Sequence, residues 1–306
     1  MNESPPVSRP RPAAARSRRG PAWLAALAER TGITPVGLLN RLDRLTPGVD
    51  GARRAARGIA YGPEQRQQLD VWVPTRRRHK GERLPVVVFF YGGGWNSGSR
   101  SDYGFAGAAF AGQGFVAVVP DYRLVPAVRF PGFVEDGALA LRWARDHAES
   151  FGGDPDRITV AGHSAGAYIG AMLALDRRWL KQASVSPAVV KGGALLAGPY
   201  DFAPFTESRG RSAFGHWPTP HETQPISFVR KGAPPLLLAH GTADRVVFPR
   251  NSRHLAERLE KAGAPVTLKL YAGASHTDLV VALARPFRRK LGVLADCAAF
   301  LKDRAS

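Results

Sequence analysis

From about residue 57 onward, short apolar β-rich runs alternate with helical ones, and this rhythm restricts the fold more than any other feature of the chain. The strand candidates are 58–61, 69–73, 84–91, 115–119, 158–161, 193–197, 235–239 and 266–271. The later ones are near-continuous Val, Leu and Ala runs, as expected of strands buried on both faces of a parallel sheet. Between them, residues 133–150, 166–176, 250–262 and 287–302 carry helical periodicity. Only Pro63, Glu64 and Gln65 stand out between the first two strands, which predicts an antiparallel hairpin at one edge. The expected architecture is a mostly parallel eight-stranded sheet with helices on both faces.

The sequence before that rhythm has a different texture. Residues 1–20 are rich in Pro, Arg, Ser and Ala, have little to bury, and are expected to be a disordered basic tail. Residues 21–50 hold two short helical patterns, Trp23, Leu24 and Leu27, then Val36, Leu39, Leu42 and Leu45. Thr46, Pro47 and Gly48 end the second pattern. They read as a helical extension that packs on the main domain, residues 51–306, or covers its site.

There is no apolar run of about 18 residues, so no membrane span is expected. The single cysteine, Cys297, lies in a helical pattern and reads as a small buried hydrophobe. With no second cysteine, an intramolecular disulfide is excluded, which agrees with a reducing, cytoplasmic setting. Export is the competing expectation: Arg18-Arg19 before the apolar stretch 22–28 faintly resembles a twin-arginine signal, but that stretch ends early, at Glu29-Arg30.

The net charge is +18, from 43 Lys and Arg against 25 Asp and Glu. Most of the basic residues are scattered among apolar periodic segments, as on a solvated surface. Two clusters stand apart, one at Arg9, Arg11, Arg16, Arg18 and Arg19, the other at Arg76, Arg77, Arg78, His79 and Lys80. Neither is interleaved with aromatic residues, so no base-stacking surface is expected and no nucleic-acid partner.

The chemistry centres on Gly162-His163-Ser164-Ala165-Gly166, which follows one strand candidate and opens a helix of small residues. In that context G-x-S-x-G describes a sharp strand-to-helix turn that lifts a serine hydroxyl clear of the sheet. The turn sets the Ala165 N–H at a helix N-terminus, where the dipole favours developing negative charge. Three glycines in Tyr91-Gly92-Gly93-Gly94-Trp95 let backbone amides converge without side chains in the way. Gly93 and Gly94 are the expected oxyanion donors, joined by Ala165. A phosphate loop fits poorly, because no Lys-Ser or Lys-Thr follows the glycines.

A serine hydroxyl needs a base, and the base needs an orienting acid. In strand-turn-helix hydrolases the order along the chain is serine, acid, histidine. His276 follows the last strand candidate and is the expected base. His254 falls on a helical face and His240 at a strand end; both read as non-catalytic. Asp244 follows the penultimate strand and is the expected acid, a turn aspartate being the plainer alternative. Asp278, two residues past His276, reads as a local cap.

With these residues in place, the segment from about Tyr61 to Phe300 resembles the α/β-hydrolase esterase and lipase group. That group includes hormone-sensitive-lipase-like esterases, isoprenylcysteine methylesterases and kynurenine formamidases. The resemblance is carried by Leu69 to Pro74, Tyr91 to Trp95, Asp121-Tyr122-Arg123, Phe151 to Ile158, Gly162 to Gly166, His240 to Asp244 and Gly273 to His276. It implies the α/β-hydrolase fold with a short cap region, and a serine carboxylesterase acting on small-molecule esters of short, medium or aromatic acids, with no metal or organic cofactor. One departure is Tyr91, where many members carry a histidine before the glycines. The segment between Ala197 and Ala233 is short and holds Phe202, Phe205, Phe214 and Trp217, which read as an apolar acyl pocket or as core. Trp95, His163, Phe214 and Trp217 are the expected substrate contacts. Two other activities remain compatible: a formamidase-like amidase using the same residues, and a non-catalytic basic binding protein on a hydrolase fold.

Overall fold

The computed structural model describes residues 35–46, 51–76, 81 and 83–304. The basic tail 1–20 and the helical pattern at Trp23 to Leu27 lie outside the described residues. One eight-stranded sheet runs through the molecule in the order β1-β2-β4-β3-β5-β6-β7-β8. Its strands are β1 (Ala52–Ala60), β2 (Gln68–Pro74), β3 (Leu84–Phe90), β4 (Val116–Pro120), β5 (Gly153–His163), β6 (Val190–Leu196), β7 (Leu236–Gly241) and β8 (Val266–Tyr271). β1 and β2 form the expected edge hairpin, and β2 is also antiparallel to β4. All later pairings are parallel.

Every residue of β3 and β4 is buried, as the unbroken apolar runs require. β8 alternates between exposed and half-buried positions, because it is the far edge. Adjacent side chains in β3 show that the two faces are separately covered. Phe89 meets Phe110 of α2 (Gly104–Gly112) at a centroid distance of 5.9 Å. Phe90, pointing the other way, closes on Gly137 of α3 (Gly132–His147), where a Cβ would lie 3.5 Å from its ring. α4 (Ala165–Leu175) packs beside α3, α5 (Arg177–Gln182) follows it, and α9 (Val293–Arg304) joins α2 on its face.

Several elements depart from the sequence expectation. β1 begins at Ala52 rather than at Gly58. Its first half is arginine and alanine on a half-buried edge, with no apolar alternation to reveal it. α2 was not expected, because it is buried almost all round and has no polar face to give a period. The C-terminal helix starts at Val293, after a 3₁₀ turn over Arg285–Phe287, and not at residue 287. The short cap between β6 and β7 contains α6 (Ser208–Phe214) and two 3₁₀ turns, over Pro220–Thr223 and Pro225–Phe228. α7 (Arg250–Lys261) and α8 (Asp278–Val281) follow β7 and β8.

The second N-terminal pattern is α1 (Pro35–Leu45), and it docks on the main body. Asn40 Nδ2 donates to the Ser101 carbonyl at 2.7 Å, and its Oδ1 accepts from the Phe105 amide at 3.0 Å. Asp43 Oδ1 accepts from the Arg285 amide at 2.6 Å.

The antiparallel edge is tied to the parallel sheet by buried charge. Asp136, on α3, is fully buried and receives Gln67 Nε2 at 2.7 Å, the Arg123 amide at 2.6 Å and the Arg123 guanidinium at 2.8 Å. Removing one partner of a buried pair leaves the other uncompensated. Asp136→Ala is therefore expected to cost about 3 kcal/mol, read as a lower urea midpoint with unchanged far-ultraviolet circular dichroism. A loss below about 1 kcal/mol would show that Arg123 finds solvent instead.

Candidate active site

Ser164 sits between the end of β5 and the start of α4, with φ 54° and ψ −119°. A non-glycine residue held there stores about 1–3 kcal/mol of strain and needs its surroundings to fix it. The flanking glycines supply that constraint. A Cβ on Gly162 would lie 2.6 Å from the Gly166 carbonyl carbon, and one on Gly166 would lie 2.0 Å from the Phe90 carbonyl oxygen. Only hydrogen fits at either place, so α4 can start directly against β3. The Ser164 amide donates to the Leu196 carbonyl at 2.8 Å, which ties the turn to β6.

The ends of β5, β7 and β8 bring three side chains together. His276 Nε2 is 2.9 Å from Ser164 Oγ, and His276 Nδ1 is 2.7 Å from Asp244 Oδ2. Because Nδ1 faces a carboxylate it carries the proton, so the Nε2 lone pair faces the serine hydroxyl. His276 and Asp244 are both buried. Asp278 accepts from the amide and hydroxyl of Ser275, at 2.8 and 2.7 Å, and is the local turn cap expected. His254 is paired with Asp201 at the surface.

His240 was expected to be a bystander, yet it lies against the carboxylate. Its Nε2 donates to Asp244 Oδ2 at 3.1 Å and to the Val247 carbonyl at 2.8 Å, while Ser252 Oγ faces its Nδ1 at 2.7 Å. Asp244 Oδ1 accepts from the amides of Val246 and Val247 at 2.9 and 3.0 Å. Burial opposes the Asp244 anion, but the hydrogen bonds from His240 and His276 outweigh it and hold the carboxyl well below its usual range. The sequence signal for His240 was its spacing of four residues from Asp244 at a strand end. That spacing does not reveal which way the ring turns.

The glycine loop leaves β3 beside the serine. Gly93 and Gly94 have φ of 138° and 59°, and Trp95 follows at 61°. The Gly93 carbonyl turns away and accepts from the Asn96 and Ser97 amides at 3.2 and 3.1 Å. Among the described residues, the amides of Gly93, Gly94 and Ala165 have no hydrogen-bond acceptor. Tyr91 anchors the loop: its ring stacks on Tyr122 at 4.7 Å, its hydroxyl donates to Asp121 at 2.9 Å, and Tyr122 donates back to its carbonyl at 2.8 Å. Arg100 joins Asp70 to Asp121 beneath. The side chain of Arg209, from α6, lies across the loop, with its Cδ 3.0 Å from where a Cβ on Gly94 would stand.

The four side chains expected to meet substrate divide unevenly. Trp95 lies behind the glycine loop, edge-on to Phe214 at 4.8 Å and to Tyr168 at 5.4 Å. Phe214 is fully buried among Trp95, Phe133, Phe202 and Phe205, and so forms the wall behind the loop. Trp217 packs on Phe130 at 4.9 Å and donates to Glu222 at 3.1 Å. His163 is turned inward: Nε2 donates to the His276 carbonyl at 3.0 Å, and Nδ1 has no hydrogen-bond partner among the described residues. It props the base loop from behind and faces no open space.

Burial, and then the proximity of His276, push the His163 pKa down to about 3. A group depressed in this way stays neutral in the fold while the unfolded chain takes up a proton below about pH 6.5. The folded state therefore loses stability as pH falls from about 6.5 toward 3, with a slope of up to about 1.4 kcal/mol per pH unit from this group. His163→Gln is expected to flatten that slope in urea melts at pH 7, 6, 5 and 4. An unchanged slope would place the acid sensitivity elsewhere.

The BD-FAE family model matches residues 69–259, more than half of the 306-residue chain. Esterase LipC of Mycobacterium tuberculosis is 33% identical over 237 residues, covering 70% of this chain and 58% of LipC. Isoprenylcysteine alpha-carbonyl methylesterase ICME of Arabidopsis thaliana is 30% identical over 250 residues, covering 74% of this chain and 58% of its own length. The chain thus spans less than two thirds of these relatives. Esterase 2 of Thermogutta terrifontis superposes with a TM-score of 0.63 at 28% identity, over 81% of this chain and 97% of that one. A Pyrobaculum calidifontis esterase shares the fold with a TM-score of 0.71 at 23% identity, over 92% of this chain and 94% of its own. With the strand order, the strained strand-to-helix serine turn and a family match of this extent together, the chain belongs to the BD-FAE family and has the α/β-hydrolase fold.

Proposed function

We propose that this protein is a serine carboxylesterase, with Ser164 as nucleophile, His276 as base and Asp244 as the acid that orients the base. The observation that carries the reading is the relay of 2.9 and 2.7 Å from hydroxyl to imidazole to carboxylate, beside three amides with no acceptor. His276 Nε2 takes the Ser164 proton as Oγ attacks the ester carbonyl. The amides of Gly93, Gly94 and Ala165 face the oxygen as it becomes negative. The imidazolium then protonates the leaving alcohol, and Asp244 stabilises its charge throughout. Water enters, gives its proton to the same nitrogen and releases the acid from the acyl-enzyme. The names of the relatives, esterases and methylesterases, support ester substrates. The aromatic wall of Trp95, Phe202 and Phe214 supports small apolar or aromatic acyl groups.

Ser164→Ala is expected to lower turnover of p-nitrophenyl butyrate by about a million-fold while leaving the thermal midpoint within a few degrees, since alanine keeps the same Cβ and the same backbone strain. Retained turnover would remove the assignment. Preference for N-formyl amides over esters in the same assay would transfer the reading to an amidase.

His240 is expected to act as a positioning residue through Asp244. His240→Leu removes a donor to a charged acceptor, which is worth about 1.5–3 kcal/mol, so kcat should fall about 10–100-fold with little change in KM. With one donor fewer, Asp244 acts more strongly on the base, and the acid limb of the kcat/KM profile should move to higher pH. A fall in stability with an unmoved acid limb would reduce His240 to a packing role.

A further inference from the structure

The parallel strands have two rims, and the second one carries a cleft of about 430 Å³. Ser164, Asp244 and His276 all follow the carboxyl ends of β5, β7 and β8. The cleft lies at the opposite, amino ends of β6 and β7, so it is separate from the esterase site. Its rim carries Arg177 and Lys181 from α5, Lys191 from the start of β6 and Arg230 from the segment before β7. Its floor is apolar, built by Pro187, Val190 and Pro234. Among the described residues, no carboxylate lines it.

Three observations separate this cleft from a merely solvated basic surface. First, Arg177, Lys181 and Lys191 have no ion-pair or hydrogen-bond partner among the described side chains. The neighbouring Arg178, by contrast, is paired with Asp176 at 2.8 Å and lies over the rings of Trp179 and Phe228. Second, the cations come from three separate segments, and Arg177 and Lys181 share one helix face at a like-charge spacing that opposes the helix. Third, Arg230 is fixed in place. Its guanidinium donates to the carbonyls of Gly232 at 2.5 Å and Ala174 at 3.3 Å, while its buried Nε has no hydrogen-bond partner among the described residues. Burial, and then the charge of Arg177, lower its pKa, so these two cations repel across the cleft. An anion between them relieves that repulsion, and the apolar floor accommodates an attached hydrocarbon.

We propose that this cleft binds an acidic amphiphile: a phosphate monoester on an apolar stem, held by Arg177, Lys181, Lys191 and Arg230 above Pro187, Val190 and Pro234. The same chemistry occurs in a free alkyl phosphate and in a phosphatidic acid headgroup. Binding involves no covalent step and does not depend on the esterase reading.

The test titrates the full chain with decyl phosphate below its micelle concentration, by calorimetry. A parallel arm measures co-sedimentation with phosphatidylcholine vesicles with and without phosphatidic acid. Arg177→Glu combined with Lys181→Glu should weaken decyl phosphate binding, or abolish vesicle binding, by about tenfold or more. Turnover of p-nitrophenyl butyrate and the urea midpoint should stay unchanged, which distinguishes failure of this site from failure of the Ser164 assignment. If the double variant does not fold, Lys191→Gln should weaken binding in the same direction. Monomer binding alone assigns a free ligand, and vesicle binding assigns a headgroup. Equal binding by the variants, equal binding of neutral decyl maltoside, or no binding in either arm overturns the proposal.

Discussion

The close contact of α4 with β3 is the constraint on which the site depends. Gly166 touches the Phe90 carbonyl with no room for a methyl group, and Gly162 touches Gly166 in the same way. That contact forces the chain through φ 54° at Ser164, a conformation an isolated peptide would leave at once. Leu196 and Phe90, both buried at the carboxyl ends of their strands, hold it there. The strain is thus maintained by the fully buried core, and the hydroxyl points out of the sheet because the backbone has no other path.

The second layer of organisation is electrostatic. Asp244 is a buried anion satisfied by two imidazoles and two backbone amides, so its charge is fully accounted for. His276 is held at both ends, by Asp244 through Nδ1 and by His163 through its carbonyl. His163 can serve there because it is kept neutral: a cation beside the base would oppose the imidazolium that the proposed reaction forms. The same economy appears at Tyr91, whose ring is stacked between Tyr103 and Tyr122 and whose hydroxyl donates to Asp121 while accepting from Arg66.

The basic surplus takes on structure once the chain is folded. Arg54, Arg100, Arg123 and Arg178 are consumed by buried carboxylates. Others gather at a cleft on the rim away from Ser164, and Arg209 lies across the glycine loop itself. In a chain of net charge +18, these positions separate cations that hold the fold from cations left available to ligands.

The alternation of apolar strands with helices, the G-x-S-x-G turn and the order Ser164, Asp244, His276 were all legible in the sequence. Each depends on residues near one another in the chain, or on an order that the right-handed β-α-β connection enforces. β1 and α2 were not legible in full, because one is an edge strand without apolar alternation and the other a helix without a polar face. The roles of His240 and His163 needed the tertiary structure, as did the burial of Phe214 and the packing of Trp217 on Phe130. The sequence by itself determined the periodicities, the small residues at the turn and the inventory of reactive groups, because these follow from backbone sterics and side-chain chemistry. Only the tertiary structure decided which way each ring turns and which cations meet, because those contacts join residues as far apart as His163 and His276 through packing that no local pattern encodes.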